Sequence, residues 1–160
     1  MKKILFVCLG NICRSPTAEG VMNKLLEEKK LSHKIECDSA GTSSVHTGEL
    51  PDSRSIKHAL KRGVSMNSRS RPFDKSIDFD NFDLILVMDK NNLRSIRNQD
   101  LNNLYSDKIR LMTDFCSSIM ADEVPDPYFT GEDGFETVLD ILEDATEGLL
   151  KYLLNEGKVV

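Results

Sequence analysis

Short apolar runs alternate along this chain with longer stretches in which apolar residues recur every three or four positions. Lys3-Ile4-Leu5-Phe6-Val7 is a nearly unbroken apolar run and predicts a strand buried on both faces. Behind it Ala18, Val21, Met22 and Leu25 return at helical spacing, predicting a helix that ends between Glu28 and Lys30. Ser15-Pro16 offers that helix a start, with a hydroxyl for free amides and Pro at the first helical position. Lys34 to Asp38 reads as a second strand with partial alternation, passing into Ser39-Ala40-Gly41-Thr42, where Gly41 and its small neighbours allow close backbone approach. Asp52 caps a second helix that carries Ile56, Ala59 and Leu60 and ends at Gly63. Asp83 to Asp89 contains a third buried strand, followed by a helix through Leu93 and Ile96. Ile109 to Met112 is a weaker fourth strand. Phe135, Val138, Leu139, Leu142, Ala145, Leu149 and Leu153 then predict a long closing helix packed along the sheet. Strands alternating with helices require right-handed crossovers. The expected fold is one α/β domain over residues 1–160, a doubly wound, Rossmann-like sheet of about four parallel strands with helices on both faces and the first strand central.

Candidate chemistry changes the meaning of the first connection. Between strand and helix stand Cys8, Leu9, Gly10, Asn11, Ile12, Cys13, Arg14 and Ser15. A tight loop running into a helix N-terminus collects an anion, because loop amides and the positive helix end converge on one point. A thiol is a weak nucleophile until ionised, ordinarily near a pKa of roughly 8.5, and converging amides favour the thiolate of Cys8. Arg14, six residues on, can fold back and offer two parallel donors to a bound phosphate. A thiolate beneath a cradled phosphate suits in-line attack on phosphorus. A buried structural Cys followed by a surface Arg is the plainer reading of such a pair, but strand, loop and helix start here agree.

Attack by Cys8 expels an alkoxide or phenoxide, which needs a proton. Asp126, held between Pro125 and Pro127 and next to Tyr128 and Phe129, is the candidate general acid. By itself it would read as an ordinary Asp-Pro turn. Asp89 ends the third strand on the side where open parallel sheets keep their sites, where it either orients Arg14 or merely caps the next helix. Ser68-Arg69-Ser70-Arg71-Pro72 reads as a solvated loop in preference to a contact for acidic peptides.

Composition narrows the class further. A chain of 160 residues with 39% hydrophobic content can build a real core. Its formal charge of -5 argues against general nucleic-acid binding. No apolar run approaches a membrane span and no apolar signal region opens the chain, so a cytoplasmic protein is expected. The 4 cysteines lack a repeated spacing and fit a reducing compartment better than a disulfide framework. His46 has no partner at metal-ligand spacing in His33 or His58, so no metal site is expected.

Cys8-Leu9-Gly10-Asn11-Ile12-Cys13-Arg14-Ser15-Pro16, Asp38-Ser39-Ala40-Gly41-Thr42, Met88-Asp89 and Asp126-Pro127-Tyr128 together resemble the low-molecular-weight protein tyrosine phosphatases, also described as acid phosphatases, over nearly the whole chain. The resemblance implies Cys8 as nucleophile, Arg14 as phosphate clamp and Asp126 as acid and then base, without a cofactor. It also implies that Asn11, Ser15 and Ser39 hold the loop and the thiolate, with Asp89 near Arg14. In the family the Thr42–Pro51 loop walls the substrate cleft, so Val45 and His46 become wall candidates opposite Tyr128 and Phe129. Many relatives carry a His where this chain has Ser68, paired with carboxylates matching Glu19 and Asp38. Implied substrates are phosphotyrosine proteins or small aryl phosphates, acted on by a monomer or weak dimer. Two rivals share the thiol loop. A thiol-coupled arsenate reductase would need further cysteines to relay a disulfide, and only Cys37 and Cys116 stand apart from the loop. A phosphocarrier domain would gain nothing from Arg14 with Asp126, since hydrolysis would discard its phosphate. Arginine phosphatases of the family carry a small polar residue at the position of Ile12, so the apolar side chain favours an aryl ester.

Overall fold

In the computed structural model, which describes residues 1–155, the leading apolar run forms β1 (Lys2–Cys8), with Ile4 to Val7 wholly buried. The other strands are β2 (Ile35–Gly41), β3 (Leu84–Val87) and β4 (Ile109–Leu111). All pairings are parallel and the order is β2-β1-β3-β4, so β1 lies inside the sheet as expected. Among the described residues there are five α-helices: α1 (Arg14–Glu28), α2 (Ser53–Lys61), the single turn α3 (Asp78–Asn81), α4 (Lys90–Gln99) and α5 (Glu132–Asn155).

The pleat divides the core. Ile4, Phe6 and Leu86 face α1 and α5, where they meet Met22, Leu26, Val138, Leu142 and Leu149. Leu5, Val7, Ile85 and Val87 face the other way onto Phe79 of α3 and Ile96 of α4. Two buried faces are why the inner strands are spelled almost without polar residues. Parallel pairing also brings the ends of β1, β2 and β3 to one edge of the sheet, where the Cys8 loop lies.

Four local expectations are corrected. Helix α1 starts at Arg14, two residues before the expected Pro16, with no side-chain cap; the Ser15 hydroxyl is taken by the Cys8 sulfur and by Asn11. Pro16 therefore sits at the third helical position, still in the first turn where its missing N–H is harmless. Leu60 of α2 points into solvent, 58% exposed, while Ala59 enters the core. Ser68 to Pro72 is solvated only in part, with Arg69 and Pro72 exposed. Ser70 is buried, and half-buried Arg71 pairs with Asp38 at 3.0 Å and Asp78 at 3.0 Å, which ties it to the fold. Other expectations hold: Asp52 accepts from the Arg54 amide at the start of α2, and Gly63 takes a left-handed φ of 75° just beyond it. Strand β2 runs on to Gly41, where a Cβ would lie 2.8 Å from the Leu9 carbonyl oxygen, so only glycine permits this approach.

Candidate active site

The loop after β1 is wound so that its carbonyls point outward. Cys8 O accepts from Thr42 N at 2.9 Å, Leu9 O from Ser43 N at 2.9 Å, Gly10 O from Ser70 Oγ at 3.0 Å and Ile12 O from Asp52 N at 2.8 Å. When a peptide's C=O faces out, its N–H faces in, so these bonds aim loop amides at the centre. Asn11 makes the turn possible with φ at 56°, a left-handed conformation that Asn tolerates better than most residues. Its own amide donates to Cys8 Sγ at 3.3 Å. The buried Asn11 side chain is fully engaged: Nδ2 donates to Ser15 Oγ at 2.8 Å and Oδ1 accepts from Arg71 N at 2.9 Å. Because Ser15 Oγ accepts from Asn11, its own hydrogen is available to Cys8 Sγ, 3.0 Å away.

Arg14 lies under the loop with 2% of its surface exposed. Its Nη1 donates to Asp89 Oδ2 at 2.6 Å and to the Val124 carbonyl at 3.1 Å, and its Nη2 to Asp126 Oδ2 at 3.5 Å. Burial works against the guanidinium charge, but the Cys8 sulfur and the two carboxylates outweigh it and hold Arg14 above its ordinary pKa. Asp89 serves both roles read from the sequence. While Oδ2 grips Arg14, Oδ1 accepts from Asn92 N at 2.7 Å and caps α4. The segment carrying Asp126 is anchored to the end of β3 through Val124 N and Met88 O at 2.8 Å. Asp126 Oδ1 also accepts from Tyr128 N at 3.0 Å, which fixes the carboxylate at the mouth.

These groups line one cavity of about 240 Å³, shared by Cys8, Leu9, Gly10, Ile12, Cys13 and Arg14 of the loop and by Ser43, Val45, His46, Asp126, Tyr128 and Phe129 of the walls. All four wall residues expected from the sequence are there. Tyr128 and Phe129 meet edge to face at 4.9 Å, and His46 stands 6.5 Å from the Tyr128 ring with Nδ1 bonded to Glu49. Arg54 escaped sequence reading. Gripped by Asp52 through two bonds, it lies 5.4 Å from the Tyr128 ring centre and donates to the Tyr128 carbonyl.

Ser39 differs from expectation, since its hydroxyl donates to Glu19 Oε1 at 2.6 Å instead of reaching the loop. Burial raises the Glu19 pKa, and the Ser39 hydroxyl, with a smaller effect from Ser68, draws it partway back. The other thiols are electrostatically unlike a reactive cysteine. Burial, then the Asp52 charge, pushes Cys13 up to about 12, and burial pushes Cys116 up to about 11 and Cys37 higher still. Among the described residues no group of three or more His, Cys, Asp or Glu side chains is arranged to hold a metal ion.

Sequence and fold agree with known proteins over almost the full chain. The model of the low molecular weight phosphotyrosine protein phosphatases matches residues 3–159. A protein tyrosine phosphatase from Entamoeba histolytica, solved with Hepes in its active site, superposes with a TM-score of 0.93 at 51% identity, covering 99% of each chain. A low molecular weight protein-tyrosine-phosphatase of Streptomyces coelicolor is 38% identical over 92% of this chain and 91% of its own. The low molecular weight phosphotyrosine protein phosphatase of Homo sapiens is 39% identical, covering 86% of both. With the thiol loop, the buried arginine and the Asp126 segment meeting at one sheet edge, the chain belongs to the low molecular weight protein-tyrosine phosphatases, a family of hydrolases.

Proposed function

We propose that the protein hydrolyses phosphotyrosine, in proteins or as small aryl phosphates, through a phosphocysteine on Cys8. The observation that carries this reading is the single cavity in which Cys8 Sγ, inward loop amides, Arg14 and Asp126 converge. The phosphate dianion sits on the amides and takes Arg14 Nη2 from Asp126, which leaves the carboxyl facing the ester oxygen. Cys8 Sγ forms a bond to phosphorus as the bond to the phenolic oxygen breaks, and protonated Asp126 gives its proton to that oxygen. Asp126, now ionised, takes a proton from water as the water oxygen attacks phosphorus and releases the thiolate. Fixed donors on the three equatorial oxygens supply most of the stabilisation, since they need no reorganisation at the moment of transfer. Asp89 acts one step back, holding Arg14 in its plane.

An aryl ester suits the walls. Tyr128 and Phe129 offer ring faces at the mouth, and Ile12 gives the floor no polar group for a guanidine. The arsenate reductase alternative lacks its relay, because neither Cys37 nor Cys116 lines the cavity. We take residues 1–160 as one catalytic domain acting as a monomer or weak dimer in the cytoplasm.

Asp126→Asn tests the role of the acid. A phenol with a pKa near 10 needs its proton more than an activated nitrophenol does. The variant is expected to lower kcat/KM, which reports phosphorylation of Cys8, more for phosphotyrosine than for nitrophenyl phosphate, and to lose the alkaline limb of kcat/KM. Paired pH–rate profiles on both esters measure this. Equal losses with the limb intact would reassign Asp126 to loop structure and make Asp89 the next acid to test.

A further inference from the structure

We infer that Ser70 is a positioning residue for phosphoryl transfer, acting through the Gly10–Asn11 peptide. The inference rests on the proposed use of the loop as a phosphate cradle. That peptide is the one whose N–H, on Asn11, reaches Cys8 Sγ, and whose C=O, on Gly10, points the opposite way. Turning the plane would swing a carbonyl oxygen toward the thiolate and remove a donor from the anion site. The plane is under tension, because Asn11 adopts a left-handed φ of 56° that costs free energy unless the surroundings hold it.

The bonds that restrain the loop differ in kind. The Cys8, Leu9 and Ile12 carbonyls accept from backbone amides of Thr42, Ser43 and Asp52, which no side-chain substitution would delete. Gly10 O accepts instead from the Ser70 hydroxyl at 3.0 Å, a side-chain bond from a segment 60 residues away in the chain. Ser70 itself is buried and its backbone is fixed on both sides, with its N–H on Glu49 O at 2.9 Å and its C=O accepting from Gly48 N at 2.8 Å. The next residue, Arg71, donates its amide to Asn11 Oδ1 and is tied by two carboxylates. Removing the Ser70 oxygen therefore leaves the scaffold in place and frees one peptide plane.

Such a bond acts on the transition state more than on substrate capture. Arg14 and the remaining amides still gather the dianion, while the trigonal array of equatorial oxygens loses a preorganised donor. Ser70→Ala is expected to lower kcat on nitrophenyl phosphate about tenfold, the size of one well-placed hydrogen bond, and to weaken vanadate inhibition by a similar factor. KM and the melting temperature should stay near those of the unsubstituted protein. Ser70→Thr, which keeps the hydroxyl, should recover most of kcat. A Ser70→Ala variant with kcat and vanadate affinity within about twofold of the unsubstituted protein overturns the inference, as does a Thr variant impaired as badly as the Ala one. Loss confined to KM and melting temperature overturns it too. An unsubstituted protein that turns over no aryl phosphate contradicts the proposed function itself, whereas an active one with an indifferent Ser70→Ala variant contradicts only the positioning role.

Discussion

Replacing Cys8 with serine is expected to abolish turnover of aryl phosphates while leaving oxyanion binding and the fold intact. Oxygen is smaller than sulfur, so the side chain fits a site where Cys8 is already buried and packed with the α1–α5 core. The donors that surround it are unchanged: the Asn11 amide, the Ser15 hydroxyl and Arg14 all belong to other residues. What disappears is the sulfur nucleophile, since a serine hydroxyl holds its proton far more tightly than a thiol does and is the weaker nucleophile here. His46, the histidine that lines the cavity, is bonded to Glu49 at the wall. Vanadate or phosphate binding measured by calorimetry should survive, and turnover should not. Turnover within about tenfold of the unsubstituted protein would remove Cys8 from the mechanism.

Arg14→Lys should lower kcat by at least about two decades, on the order of 3 kcal/mol of transition-state stabilisation. The guanidinium meets three partners at once: Asp89, the Val124 carbonyl and Asp126, whose place a phosphate oxygen would take. An ammonium is a point charge on a shorter reach and cannot satisfy that planar set. Val124 O, buried, and Asp89 Oδ2, partly buried, would lose a strong donor, so some loss of melting temperature is expected as well. A change confined to KM would mean that Arg14 only gathers substrate.

Much of the fold could be read from the chain because parallel strands covered on both faces must be spelled in apolar residues, and Ile4 to Val7 and Leu84 to Val87 are. The loop was legible for a related reason. Its thiol, left-handed Asn and arginine are contiguous, so one local spelling fixes most of the site. What stayed hidden depends on distant pairing. Ser70 reads as a loop serine until β2 and the Gly48–Glu49 turn bring it beneath Gly10, and Arg71 reads as solvated until Asp38 and Asp78 close on it. Ser15 misled for the opposite reason: a residue with every local mark of a helix cap is recruited by the sulfur. Ser39 gives its hydroxyl to Glu19, a half-buried carboxylate on α1 whose pKa burial raises. The single turn α3 is too short to leave a periodic trace.

The phosphoryl group is expected to pass through Cys8 Sγ on its way to water. Asp126→Asn should slow both steps, and with an activated nitrophenyl ester the second more than the first, because water then lacks its base while the leaving group needs little acid. Acid-quenching this variant during turnover of nitrophenyl phosphate and mapping the phosphoryl group by mass spectrometry locates the intermediate. Phosphate is expected on the peptide that contains Cys8, on sulfur, and none there after Cys8→Ser is added to the same variant. Phosphate on another residue, or full turnover with no phosphoryl-enzyme at any quench time, would contradict it.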